Sequence, residues 1–251
     1  MCIRDSLWVA DMDFRSPPAV IRALTERVEH GVFGYAVATP EATEAVVRWM
    51  QARHQWTIRP DWIIWLPGLV AGLNLVCRAF SDPDEPIAVN TPIYPPFLTA
   101  PPLSGRRLAR CPLKRENAFY TLDFERLENT LSSSRLFLFC SPHNPTGRLW
   151  TKQELQTVAE ICLQNNTLLC SDEIHADLVL DPNAKHIPTA SLSPEIADQT
   201  ITLGSPGKTF NLPGLNCGYA IIPNPRLRKR FLAVMRGIIP HVNALGYTAC
   251  R

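Results

Sequence analysis

The sequence predicts an α/β fold with a mainly parallel sheet and helices on both of its faces. Short apolar β-type runs, residues 136–140, 167–170 and 200–203 among them, alternate with segments that carry helix-start signals. Thr151-Lys152-Gln153-Glu154 is a capping box, and Ser16-Pro17 pairs a capping serine with a first-turn proline. Polar residues follow directly on the apolar runs, at the carboxyl edge where open parallel sheets bind ligands.

In chain order, Ser16-Pro17 opens a helix that Gly31 ends, with Val20, Ile21, Leu24 and Val28 on one face. A second helix begins at Thr39-Pro40 and carries Ala42, Ala45, Val46, Trp49 and Met50. Residues 62–66 read as a buried strand, after which Pro67-Gly68 turns the chain into a helix through Leu73, Val76, Cys77 and Phe80. A strand over 87–90 leads to Tyr94, and 107–111 is a further strand. Asp123 caps a helix over 124–131. The capping box starts one with Leu155, Val158, Ala159, Cys162 and Leu163 inward. Residues 217–222 form a strand, Pro225 starts another helix, and the last eight residues look helical. No internal repeat is visible.

Bulk properties exclude several classes. The chain has 251 residues, 46% hydrophobic and 19% charged, as in globular proteins with a sizeable core. A net charge of +2 gives no polyanion-binding field. The short basic cluster Arg226-Leu227-Arg228-Lys229-Arg230 reads as a solvated helix face rather than a nucleic-acid patch. The uncharged stretches 62–77 and 86–105 are broken by Pro67-Gly68 and by six prolines respectively, so neither is a continuous membrane span. Eight cysteines without a CxxC pair, several within apolar runs, are expected to be reduced thiols of a cytoplasmic protein, and no metal site is expected.

The chemistry is expected at three stretches that each follow a strand. Ser205-Pro206-Gly207-Lys208-Thr209-Phe210-Asn211 puts a lysine among small residues, open on one side, where its amine can act as a nucleophile. Ser171-Asp172-Glu173-Ile174-His175 puts a carboxylate in the crevice outside the sheet edge. In Ser141-Pro142-His143-Asn144-Pro145-Thr146-Gly147, prolines restrict the backbone around Asn144 and aim its amide. Taken alone, the lysine stretch has a plain structural alternative, a surface lysine in a turn.

Strand-Asn, strand-Asp, strand-Lys, with 28 residues from Asn144 to Asp172 and 36 from Asp172 to Lys208, resembles the class I/II aminotransferase family of pyridoxal-phosphate (PLP) enzymes, fold type I. Four phrases resemble its cystathionine β-lyase, or C–S lyase, branch: the one from Trp8 to Phe14, Thr91-Pro92-Ile93-Tyr94-Pro95-Pro96-Phe97, the one from Asp172 to Leu178, and the one from Ser205 to Asn211. The resemblance runs from about Leu7 to the C-terminus. It implies a large domain built on a seven-stranded-type sheet, over residues 35–251, preceded by a segment of the small domain over 7–34.

The resemblance also implies roles. Lys208 carries PLP and removes the α-proton of an amino-acid substrate, Asp172 pairs with the pyridine nitrogen, and Asn144 donates to the ring oxygen. Tyr94 stacks on the ring. Ser205 and the backbone of Leu69 and Val70 bind the phosphate, and the strand-glycine-helix junction at Gly68 independently suits an anion. Tyr35 reaches the cofactor phosphate of a partner subunit in a homodimer, against the plainer reading of a packed aromatic loop. His175 stands where many aminotransferases carry a tyrosine, and a structural histidine is the equal alternative. Ala10 and Asn144 face the substrate.

The sequence departs from the family pattern in four places. Asn216 stands where many members carry a phosphate-neutralising arginine, and Gly207 where a serine is frequent. Residues 1–6 do not resemble what precedes the Trp8 phrase and read as a foreign or misread start. The family also continues for roughly a further third of its length into a small C-terminal domain, which supplies an arginine for the substrate carboxylate. The chain therefore reads as a fragment of a C–S β-lyase acting on cystathionine or a related cysteine S-conjugate. An aminotransferase and a catalytically silent interaction protein are the alternatives, and a nucleotide-binding protein is disfavoured because neither GxGxxG nor GxxxxGK[ST] occurs.

Overall fold

The computed structural model describes residues 10–251, so the expected foreign start at 1–6 and the stretch from Leu7 to Val9 lie outside the described residues. The helices are α1 (Pro18–His30), α2 (Pro40–His54), α3 (Leu69–Phe80), α4 (Pro95–Leu103), α5 (Phe124–Leu131), α6 (Lys152–Gln164), α7 (Pro194–Asp198), α8 (Pro206–Thr209), α9 (Pro225–Met235) and α10 (Ala244–Cys250). The strands are β1 (Ile63–Leu66), β2 (Pro86–Thr91), β3 (Arg107–Pro112), β4 (Lys114–Glu116), β5 (Phe119–Thr121), β6 (Leu136–Cys140), β7 (Leu168–Asp172), β8 (Thr200–Gly204) and β9 (Gly218–Ile221).

Seven strands form one sheet in the order β1-β9-β8-β7-β6-β2-β3. Neighbours from β3 through β8 run parallel, while β9 is antiparallel to both β8 and β1. The three central strands β6, β7 and β8 are buried along their whole length, which explains why they read as continuous apolar runs rather than alternating ones.

Alternate side chains feed two cores. Ile87, Val89, Leu136, Leu138, Cys140, Leu168, Cys170, Ile201 and Leu203 meet α3, α4 and α9 on one face. On the other face Ala88, Phe137, Phe139 and Leu169 meet α5 and α6, and Tyr219 and Ile221 meet α2. Each fully buried Leu or Phe contributes about 1.5–3 kcal/mol, so the sheet holds its edge residues on a rigid frame.

Local expectations hold at most helix starts. Thr39 caps α2 through the Ala42 N–H, Asp123 caps α5 through the Arg126 N–H, and the Thr151–Glu154 capping box is formed in both directions. Other details differ. The first helix starts at Pro18 with Pro17 as its cap, because Ser16 Oγ donates instead to the Asn211 carbonyl at 3.1 Å. No residue of α1 is buried, and Val28 is exposed. The first strand is half-buried and antiparallel to its neighbour, with Trp62 in a short 3-10 turn before it. Proline-rich residues 95–103 form a helix: Pro95 and Pro96 occupy its first turn, where a missing N–H costs nothing. The β4–β5 hairpin carries too little apolar alternation to be visible in the sequence. The basic cluster lies on α9, where Arg228 is tied to Asp61 at 3.0 Å and the remaining basic residues face solvent. No described helix is long and apolar enough to cross a membrane.

Candidate active site

The site grows from the way the sheet sets out its carboxyl edge. Register pairs Val89 with Leu138, Cys140 with Asp172, and Asp172 with Leu203. The ends of β2, β6, β7 and β8 are therefore level, and each delivers one polar stretch to the same edge. Tyr94 follows β2, Asn144 follows β6, Asp172 ends β7 with His175 just beyond, and Lys208 follows β8. Four adjacent strands span about 15 Å at 4.8 Å per step, the width of a small aromatic ligand with its substituents.

Asp172 is 5% exposed. Its Oδ1 accepts the Ile174 N–H at 3.1 Å, and no cation faces it among the described residues. Burial, with the Glu173 charge adding to it, outweighs that hydrogen bond and pushes its carboxyl up to about 7. Such a group gains most from a cationic partner. Glu173, one residue on, points the other way and is fully engaged: Ser171 Oγ at 2.9 Å, the Thr189 N–H at 3.0 Å and His186 Nε2 at 2.8 Å. The two adjacent carboxylates thus divide into one with a vacant side and one built into the frame.

Lys208 lies in the one-turn helix α8 and is half-buried, with no ion pair among the described residues. Burial and the charge of Lys208 together lower the His175 pKa, so the ring and the amine share one environment. Ser205 opens α8. Its Oγ accepts the Gly207 N–H at 3.0 Å and donates to the Cys217 carbonyl at 2.7 Å. The hydroxyl proton is thereby committed to Cys217, and Ser205 serves an anion only by turning away from it. At Gly207 a Cβ would lie 3.1 Å from Ser205 Oγ, so glycine relieves crowding against the cap.

At the start of α3, Gly68 takes φ +147, a backbone region that favours glycine, and nothing lies within 4 Å of where its Cβ would be. The first N–H groups of the twelve-residue helix that follows have no partner within the helix, and Leu69 is buried while Val70 is exposed. Asn216 sits in the left-handed region at φ 49, a conformation asparagine tolerates better than arginine. The Asn144 side chain makes no hydrogen bond among the described residues, and its carbonyl accepts the Tyr94 N–H at 3.1 Å. His143, unassigned by the sequence, is buried with Nε2 2.8 Å from the Pro92 carbonyl.

Two expected residues stand apart. Tyr35 is fully exposed in an irregular segment and contacts none of these groups. Ala10 is exposed, but its segment is drawn to the lysine loop by a residue to which sequence reasoning gave no role. Asn211 Oδ1 accepts the Met12 N–H at 3.1 Å, and its Nδ2 donates to the carbonyls of Met12 and Phe14, each at 2.8 Å. Asn211 thus joins two of the family-like phrases, and their joint presence in the sequence was the available clue. No group of three or more His, Cys, Asp or Glu among the described residues could hold a metal ion.

The sequence profile of the family described as aminotransferase class I and II matches residues 6–248, and the chain belongs to that family. It is 42% identical to cystathionine β-lyase PatB of Bacillus subtilis (strain 168), over 97% of this chain and 63% of that one. Among solved structures, it superposes with a TM-score of 0.93 on cystalysin from Treponema denticola, which contains a pyridoxal 5'-phosphate cofactor, at 39% identity over 96% of this chain and 62% of that one. The PLP-bound C–S lyase from Staphylococcus hominis gives a TM-score of 0.89 at 34% identity, over 96% and 61% respectively. The fold is therefore that of the fold type I PLP-dependent enzymes, and the chain spans a little under two thirds of the length of these relatives.

Proposed function

We propose that this chain provides the cofactor-holding part of a PLP-dependent C–S β-lyase, which converts cystathionine or a related cysteine S-conjugate to a thiol, pyruvate and ammonia. The observation that carries the reading is Asp172, a buried carboxyl raised to about 7 with no cation beside it among the described residues, on the strand next to the one that delivers Lys208. The residues present fit the cofactor. A pyridinium N–H supplies the positive partner that Asp172 lacks, and the open N-terminus of α3 at Leu69 and Val70 suits its phosphate. The similarity to PLP-containing C–S lyases supports the same reading.

Lys208 Nζ would hold the cofactor between turnovers and, once released by the incoming amino group, take the proton from the substrate Cα. When bound, PLP supplies an electron sink for the pair that this proton leaves behind. Asp172 would hold the proton on the ring nitrogen, Asn144 would offer its amide to the ring oxygen, and Tyr94 would pack against the ring. Burial, and then the nearby Lys208 charge, lower the His175 pKa, so its ring stands beside the amine as a neutral group. The same Lys208 ammonium can then pass its proton to the departing sulfur. Asn144 and Ala10 border the substrate. Ser205 acts first as the cap that fixes α8, and reaches the phosphate by rotating away from Cys217.

The fully exposed Tyr35 supports a homodimer in which this side chain reaches the partner's phosphate. Its position supports a boundary near residue 35 between an N-terminal small-domain segment and the large domain. The seven described cysteines are all free thiols, which supports a cytoplasmic location.

Borohydride reduction of the PLP-loaded protein followed by peptide mapping should find the pyridoxyl group on Lys208. With cystathionine, free thiol and pyruvate should appear together in a protein of the relatives' full length, while residues 1–251 alone should turn over poorly. Label on a different lysine, or amino transfer to a keto acid without thiol, overturns the reading.

A further inference from the structure

Helix α8 has only four residues, Pro206–Thr209, and is closed by the bonds from Phe210 N to Pro206 O at 3.0 Å and from Leu212 N to Gly207 O at 2.8 Å. A helix this short does not hold its own geometry. The direction of Lys208 must therefore be set by what grips the two ends of α8. Ser205 grips the first end through the Cys217 carbonyl. The second end is Thr209, and its hydroxyl donates to Asp177 Oδ2 at 3.0 Å.

Asp177 gathers more than Thr209. Its Oδ2 lies 3.1 Å from Trp49 Nε1, and its Oδ1 lies 3.2 Å from His54 Nε2 and 4.0 Å from Arg53 Nε. Three side chains of α2 thus converge on one carboxylate. Burial alone would raise its pKa, but the nearby His54 ring and hydrogen bonds from Thr209 and Trp49 bring it below the ordinary value, so it is an anion. Trp49 also meets Phe210 edge-on, with ring centroids 5.4 Å apart. The His54 ring packs edge-on against His186, which is bound in turn to Glu173, the neighbour of Asp172.

We infer that Asp177 is the positioning residue for Lys208: its carboxylate clamps Thr209 to α2, and so fixes the turn from which the lysine side chain leaves. This rests on the reading of Lys208 as the cofactor lysine. The anion acts through its bond to Thr209. A 1 Å error in the placement of a reacting group costs about 10²-fold in rate, so a clamp on the adjacent residue has a measurable effect.

The test uses Thr209→Val, which keeps the shape and removes the hydroxyl, Thr209→Ser, which restores it, and Asp177→Asn, which keeps the size and removes the charge. Apoprotein is mixed with PLP. The rate of cofactor attachment is followed by visible absorbance, the visible circular dichroism of the bound cofactor is recorded, and borohydride-fixed label on Lys208 is quantified by peptide mass. Thr209→Val and Asp177→Asn should each slow attachment about 10- to 10²-fold and alter the dichroism in the same sense. Thr209→Ser should recover the parent behaviour, and the Thr209→Val/Asp177→Asn pair should be no worse than either alone. The thermal midpoint of Thr209→Val should stay close to that of the parent. Parent-like attachment and dichroism in Thr209→Val, or equal damage in Thr209→Ser, overturns the inference while labelled Lys208 in the parent leaves the functional reading standing. Absence of Lys208 label in the parent overturns both. Should Asp177→Asn fail to fold, the Thr209 pair alone decides the matter.

Discussion

The Tyr94 N–H donates to the Asn144 carbonyl at 3.1 Å, so the residue proposed to cover the cofactor and the residue proposed to hold its ring oxygen are joined main chain to main chain. A second bond runs parallel to it, from buried His143 Nε2 to the Pro92 carbonyl at 2.8 Å. Burial lowers the His143 pKa, which keeps the ring neutral with its Nε2 proton on Pro92. The loops after β2 and β6 therefore move as one body.

His143→Phe should loosen that body. A buried carbonyl left without its donor costs about 1–3 kcal/mol, so the thermal midpoint should drop and PLP affinity should fall with it. Retention of the parent affinity would show that the Tyr94–Asn144 bond suffices alone.

Asp172 gives a pH signature in the cofactor-free protein. Its folded pKa, about 7, lies above the ordinary carboxyl value of 3.8, so the folded state holds the proton more tightly between those limits. The associated stability is present in full below about 4 and is lost as pH rises through 7. Cofactor-free Asp172→Asn should therefore exceed the parent in stability at pH 8, by an amount on the order of a few kcal/mol, and match it near pH 4. Chemical denaturation at the two pH values checks this.

In the PLP-loaded protein the ranking inverts for function. Asp172→Asn should cost far more activity than His175→Phe, because the carboxylate opposes charge where it develops, while the histidine adds at most one hydrogen bond. Equal losses in kcat would reverse the roles.

Asn211→Gly should release the N-terminal segment without straining the backbone, since Asn211 sits at φ 56, where glycine is at ease. The Met12 amide, which donates to Asn211 Oδ1, should exchange with deuterium markedly faster, and amides in β6 to β8 should not change.

Gly204→Ala should be destabilising by about 1–3 kcal/mol. The added Cβ would stand 2.6 Å from Cε2 of the Tyr219 ring, and both residues are buried. A thermal melt reads the loss directly.

The sequence displayed the frame and the strand-end polar residues because both depend on local pattern. Leu136–Cys140 is apolar at every position, and Asn144, Asp172 and Lys208 each follow such a run. Pairing direction is not local. Nothing in residues 218–221 says that β9 runs against β8, and the strand is as buried as its parallel neighbours. The Asp177 contacts with Trp49 and Thr209 were equally hidden, since they join residues 128 and 32 positions apart. The closing helix shows the same limit: nothing in its sequence says that Tyr247, with Val242 just before the helix, is buried in a cluster that includes Cys217.

The reversal of β9 has a mechanical consequence. Because β9 starts where β8 stops, residues 205–217 leave the sheet and return to the same edge, and the Ser205–Cys217 bond at 2.7 Å pins the two feet of this arch together. A parallel return would have needed a crossover to the far edge, with one foot a sheet's length away. Closing the arch costs chain entropy once, during folding, and none of it recurs with each encounter. Lys208 rides near one foot, where a span held at both ends sways least. The amine is therefore in place before cofactor or substrate arrives, and reactivity there draws on rigidity already built into the sheet.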